Sequence, residues 1–138
     1  MSIELYKIAF GQLKGIGPSR ASKILGKLSS LADFFSFSER ELYLQTGIAR
    51  SILKEMRRDE AKLKAEQQLV FNEKNDVQTH FFMDENYPRR LRQCPDAPIV
   101  LFSKGVTDMN RPKIFSIVGT RNQTEYGRGL TNELLSSI

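Results

Sequence analysis

Apolar and polar positions along this chain repeat with two different periods, and the change falls near the middle. Ile3, Leu5, Ile8, Ala9 and Leu13 recur at helical spacing, and a glycine-rich turn follows. Ile24, Leu25 and Leu28 then supply the apolar face of a second helix starting near Pro18 or Ser19. The stretch SSLADFF predicts a short third helix. Ser38 with Glu41 three residues on forms a capping box: the hydroxyl accepts from a first-turn amide and the carboxylate accepts from the cap amide, so a fourth helix starts there. From about Ala49 the pattern predicts one long charged helix running toward Asn75, with Ile52, Leu53, Met56, Leu63 and Leu69 inward.

After NEKND the period shortens. VQTHFF alternates and is rich in β-branched and aromatic residues, while PIVLF and KIFSIV are short apolar runs bounded by Pro, Gly and Asp, the form of strands buried on both faces. Two such strands followed by a turn and a helix predict the opening of a parallel α/β sheet. The expected organisation is therefore a helical domain over residues 1–75 and an α/β portion over 76–138, with the boundary near Asn75 to Val77.

Composition narrows the classes without choosing among them. The chain has 138 residues, 40% of them apolar, and a net charge of +5 from 21 basic and 16 acidic residues. That excess fits a nucleic-acid partner and is also common without one. It is spread evenly, with 13 basic against 10 acidic residues through Asp76 and 8 against 6 after it, so a binding surface must come from local placement. Cys94 is the only cysteine and His80 the only histidine, which leaves no ligand set for a zinc centre and no histidine-based triad beyond a single ring. Both read as scaffold residues. The lone cysteine suits a reducing compartment, no apolar run reaches the roughly 18 residues of a membrane span, and the first residues lack a leader pattern, so a cytoplasmic protein without a membrane span is expected.

Two turns carry candidate chemistry. In LKGIGPSRASKIL, Gly15 and Gly17 flank Ile16, and a helix with Arg20 and Lys23 follows. Paired glycines turn the backbone tightly with amides outward, the aliphatic side chain plugs inward, and the helix start adds positive potential, so Gly15, Gly17, Arg20 and Lys23 form a candidate phosphate site. The arrangement resembles the helix-hairpin-helix motif, which grips nucleic-acid backbone without reading bases. A weaker copy follows in LYLQTGIARSILKEM, where only Gly47 remains and Thr46 precedes it. The same spacing also serves any tight helix connection, or a module that binds protein instead of DNA. The charged helix carries Arg57, Arg58, Lys62 and Lys64, but acidic residues lie three or four positions away, which predicts a solvated face. Arg89, Arg90 and Arg92 form a cluster balanced by Asp84, Glu85 and Asp96, and a structural role is expected for it.

The second turn is Gly119-Thr120-Arg121, between IFSIV and a helix near Thr124. At the end of a buried parallel strand it offers a backbone that a ligand can approach, a hydroxyl, helix-start amides and a guanidinium, an anion site most simply for phosphate. It lacks the second glycine of a dinucleotide fingerprint and the Gly-Lys-Ser/Thr of a Walker loop.

YPRRLRQCPDAPIVLFSKG followed by IFSIVGTRNQTEYGR resembles the start of the Rossmann-like domain in the DNA-processing protein A family (DprA, also called Smf). That pattern runs Tyr-Pro, Leu, Pro, an apolar strand, Gly, Val-Gly-Ser-Arg and Tyr-Gly, and Thr120 stands here where the family often has serine. The helical half is similar to the helix-hairpin-helix or SAM-like domain that often precedes it. The resemblance implies a non-enzymatic protein without cofactor that binds single-stranded DNA, protects it and loads RecA recombinase onto it in natural transformation (competence), as a homodimer at full length. Carried over, Gly119, Thr120 and Arg121 hold the DNA backbone, Thr124 caps the helix, and Tyr126 and Gly127 pack it against the sheet. The family's domain continues through further β-α units with a Gly-x-Ala-x-Gly-Ile-Asp type segment absent here, so the chain is expected to be an N-terminal fragment whose RecA-contacting region lies elsewhere. A nucleotide-ligand domain and a helical protein-interaction module are the competing readings.

Overall fold

A computed structural model describes residues 2–106 and 108–137. The order is α1 (Ile3–Gly11), α2 (Pro18–Leu25), α3 (Leu31–Ser36), α4 (Glu39–Thr46), α5 (Arg50–Glu55), α6 (Arg58–Asn75), β1 (Val77–Phe81), α7 (Arg89–Arg92), β2 (Val100–Lys104) and α8 (Glu125–Ser137). The class is mixed α and β: helices with one small two-stranded antiparallel sheet among the described residues.

Local chemistry sets the helix starts. Ser38 Oγ accepts from the Glu41 amide at 3.2 Å while the Glu41 carboxylate accepts from the Ser38 amide at 2.7 Å, the expected capping box. Those hydrogen bonds hold the Glu41 carboxyl below its usual range. An equivalent box joins Ser30 to Asp33 at the start of α3. The long helix expected from Ala49 is two helices. Arg57 adopts a left-handed conformation (φ +48°) and turns the chain between them. Arg58 then donates to the Phe34 and Phe37 carbonyls at 2.7 Å each and lies over the Phe34 ring, which fixes the start of α6 against α3.

Past that turn α6 runs along α1. Its inward face is Ala61, Ala65 and Asn72, all buried, with Leu69 partly covered; Leu63, expected inside, is 58% exposed. Small side chains there let the two helix backbones approach closely. A polar chain closes the same seam: Gln68 donates to Asn72 (2.7 Å), Asn72 to Thr79 (3.2 Å), and Thr79 to Glu4 (2.7 Å), tying α6, β1 and α1.

Residues of β1 and β2 pair antiparallel from Val77 with Lys104 to Phe81 with Val100. A parallel sheet is expected from PIVLF and KIFSIV, whereas the described sheet pairs PIVLF with VQTHFF. VQTHFF and PIVLF became the strands, but KIFSIV did not: residues 113–120 form no helix or strand and are exposed, with Val118 at 93%. A strand is held by ladder hydrogen bonds, and no described strand lies beside this segment to supply them. One core crosses the change of period near residue 76. Phe10, Leu13, Phe34, Leu42, Leu53 and Met56 from the helices pack in one cluster with Phe81, Phe82, Tyr87 and Ile99. Phe10 meets Phe34 and Phe81 edge-on at ring distances of 5.2 and 6.3 Å. Lys7 of α1 pairs with Asp84 in the turn after β1 at 2.7 Å, adding a polar tie across the same junction.

Candidate nucleic-acid interface

The turn Gly119-Thr120-Arg121 lies on the surface at the start of α8. Thr124 Oγ1 accepts from the Gly127 amide at 3.1 Å, so Thr124 caps that helix as expected. Thr120 Oγ1 donates to the Asn122 carbonyl at 3.0 Å, and a Cβ at Gly119 would meet open space. Gly119, Thr120, Thr124 and Gly127 share a cleft of about 490 Å³ with Ile117, Asn122, Gln123 and Leu130. Arg121 is exposed, makes no hydrogen bond or ion pair among the described residues, and is not part of that cleft's lining. The structure thus brings the glycine, the hydroxyl and the helix start together and leaves the guanidinium beside them. Tyr126 does not pack against a sheet: it is 80% exposed, and no described residue of α8 is buried, because the two strands lie in the other core.

In the first hairpin, Gly15 takes φ +70°, the left-handed region that favours glycine, and Gly17 sits at the N-cap of α2 with Pro18 behind it. Ile16 packs partly into the core. Arg20 Nη1 donates to the Gly15 carbonyl at 2.7 Å, so that guanidinium braces the hairpin while its other donors remain. Gly15, Gly17, Arg20 and Lys23 line one open cleft of about 420 Å³ together with Pro95. The four residues expected from the sequence are thus brought together.

The second hairpin matches the first in geometry more closely than in sequence. Gly47 has φ +74°, Ile48 packs partly into the core, and α5 follows. Thr46 is buried and donates from Oγ1 to the Leu42 carbonyl at 2.6 Å, so its hydroxyl finishes α4. Lys27 Nζ donates to the Thr46 carbonyl at 3.0 Å and joins the two hairpins. Lys27 lies two residues past the end of α2, and its contact with the second hairpin comes from tertiary packing, which leaves no local mark in the sequence.

Other candidate residues have structural partners. Arg90 donates to the Pro112 carbonyl at 2.8 Å, Arg92 donates to the Asp84 carbonyl and covers the Tyr87 ring, and the Arg89 amide donates to Asn110 at 2.8 Å. Together these bonds fasten α7 to its neighbouring loops. Arg57 and Lys64 both pair with Glu60, at 3.1 and 2.7 Å, and the hydrogen bonds, Lys64 first, bring that carboxyl down to about 2. His80 is buried with Nε2 2.7 Å from Ser103 Oγ, and Cys94 is exposed with its thiol toward the Arg90 carbonyl. No described helix is long and apolar enough to cross a membrane.

Comparison with known proteins finds similarity over the strands and the second turn. Residues 78–138 match the sequence model of DNA recombination-mediator protein A, beginning one residue into β1. The chain is 42% identical over 55 residues to the DNA processing protein DprA of Bacillus subtilis (strain 168), a stretch covering 39% of this chain and 18% of that relative. The chain therefore corresponds to a minor part of the relative's length. Over residues 78–138 the chain is similar to the DNA recombination-mediator protein A family, the resemblance carried by its Tyr-Pro and Gly-Thr-Arg segments. No solved structure matches the chain.

Proposed function

We infer that this chain is part of a non-enzymatic protein that binds single-stranded DNA through its sugar-phosphate backbone, protects it and passes it to RecA recombinase. The observation that carries the reading is the family match over residues 78–138, which includes the exposed turn Gly119-Thr120-Arg121 at the capped start of α8. Arg121 supplies a fork-shaped donor set for a phosphate, Thr120 a hydroxyl, and Gly119 room for the backbone to approach. The helical half is read as a helix-hairpin-helix, SAM-like unit; in support, Gly15 and Gly47 share the same left-handed turn and each is followed by a partly buried isoleucine. Residues 76–138 are read as the opening portion of a Rossmann-like domain, on the family match and the strand-rich pattern. RecA and a second copy of the protein as partners rest on the family alone.

The test is equilibrium binding of labelled single- and double-stranded oligonucleotides across a salt series, with the wild-type chain and Arg121→Ala. Backbone binding predicts a log-log salt slope of about −0.7 per phosphate neutralised on a single strand, tighter binding of single than double strands, and several-fold loss in Arg121→Ala. Full competition by mononucleotides would instead assign the turn to a nucleotide ligand, and salt-independent affinity would overturn the backbone reading.

A further inference from the structure

The second hairpin borders a groove of different character from the cleft at the first. It lies between α2 and the turn that joins α4 to α5, and holds about 620 Å³. Its floor is aliphatic: Ile24, Ile48, Ala49 and Ile52. Ile24 is buried and Ile48 is partly buried against the core, so the floor is fixed from beneath. Ile52 stands outside that core and is 38% exposed. The turn is held by its own hydrogen bonds. Thr46 Oγ1 donates to the Leu42 carbonyl at 2.6 Å and accepts from the Ile48 amide at 3.3 Å, while the Gly47 amide donates to the Tyr43 carbonyl at 2.8 Å. Lys27, just past α2, ties the opposite wall to the Thr46 carbonyl at 3.0 Å. The groove is thus formed before any ligand enters it. Arg20, Lys23 and Lys27 line its α2 side, and no Asp or Glu lines it anywhere. Lys23 has no ion-pair partner among the described residues.

We propose that this groove docks an acidic segment of a partner protein, one that presents leucine or a similar aliphatic side chain flanked by aspartate or glutamate. Both parts of that chemistry answer something in the groove. An aliphatic anchor gains by leaving water for the isoleucine floor. Flanking carboxylates complement three cations that have no carboxylate of their own chain in the lining. Nucleic acid answers only the second part. A single strand is gripped by aromatic side chains under its bases and by free amides at its phosphates, whereas this lining holds no aromatic residue and the Gly47 and Ile48 amides are both paired. A neutral or basic apolar segment answers only the first. The volume falls within the range of about 300–1,000 Å³ that encloses a small ligand, so the groove takes a short anchor and not a domain face. This docking is separate from the nucleic-acid reading above and does not depend on it.

The probe is a short labelled peptide with two leucines set among aspartate and glutamate, followed by fluorescence anisotropy on the 138-residue chain. One twin of the peptide carries serine for leucine, and another carries lysine for the acidic residues. Circular dichroism verifies that each protein variant folds. The parent peptide is expected to bind, and each twin about tenfold more weakly or worse. Ile52→Ser removes the aliphatic contact without changing charge, and Lys23→Glu reverses one cation; each should weaken the parent peptide about fivefold to tenfold. Leu63→Ser and Lys74→Glu make the same changes at exposed positions of α6 and should alter it less than about twofold. No binding of the parent peptide, equal binding of its twins, or equal losses in the α6 variants would overturn the docking site. Oligonucleotide affinity that falls in Ile52→Ser as far as the peptide's would assign the groove to nucleic acid instead. Self-association that Ile52→Ser abolishes in sedimentation would assign it to a second copy. Arg121→Ala is expected to leave peptide binding unchanged, so failure of the DNA reading and failure of this one are seen separately.

Discussion

Gly11 is a point of close approach between α1 and β2. It ends α1 beside β2, and a Cβ built on it would lie 2.7 Å from Val100 Cγ2 and 2.9 Å from Val100 Cβ. Separations that short do not persist, so Gly11→Ala must push β2 or α1 aside. Overpacking of this kind costs about 1–3 kcal/mol. Alanine recovers up to about 1 kcal/mol of helix propensity, less at a helix end. The expected net effect is a destabilisation of about 1–2 kcal/mol. Val100→Ala removes Cγ2 but keeps Cβ, so it relieves the clash only in part, and the two substitutions should couple by about 1 kcal/mol. Urea unfolding followed by far-ultraviolet circular dichroism gives all four corners of the cycle. A stabilising Gly11→Ala, or a cost unchanged by Val100→Ala, would refute the close docking of α1 on β2.

Tyr87 is fully buried and donates to the Pro98 carbonyl at 2.5 Å, and burial raises its phenol pKa. Tyr87→Phe keeps the packing and leaves that carbonyl without its donor, so a loss of about 1–2 kcal/mol in unfolding free energy is expected by denaturant titration. Glu60 titrates near 2 when folded, against an ordinary 4.5, because Lys64 and Arg57 donate to it. The folded state therefore binds fewer protons than the unfolded one between those values, and stability from this group is complete above the ordinary value and lost as pH falls toward 2. Carboxyl chemical shifts followed by NMR should show the depressed midpoint, returning toward normal in Lys64→Ala.

The capping box at Ser38, the glycine turns and the cap at Thr124 were legible because each is a local contest decided by two or three neighbouring residues. The break between α5 and α6 was not. A left-handed Arg57 has no sequence mark, since arginine continues a helix readily; the turn is fixed by Arg58 reaching carbonyls over twenty residues earlier. Hydrophobicity points Leu63 inward, yet the seam with α1 is lined by Ala61 and Ala65, small side chains that carry little periodic signal. Apolar runs at 99–103 and 114–118 look alike in sequence, but pairing requires a neighbour, and the first found one in β1. For the candidate site, the hairpin residues clustered as expected, whereas Arg92 and Pro95 come to α2 only through tertiary packing.

Severing the chain at the change of pattern near residue 76 would strip the helices of Phe81, Phe82, Tyr87 and Ile99, four large side chains from their shared interior. A truncated helical piece would then lose DNA affinity simply by unfolding, and the result would be mistaken for the removal of a binding surface. Single-residue charge reversals on an intact chain are the cleaner way to apportion affinity between its two ends.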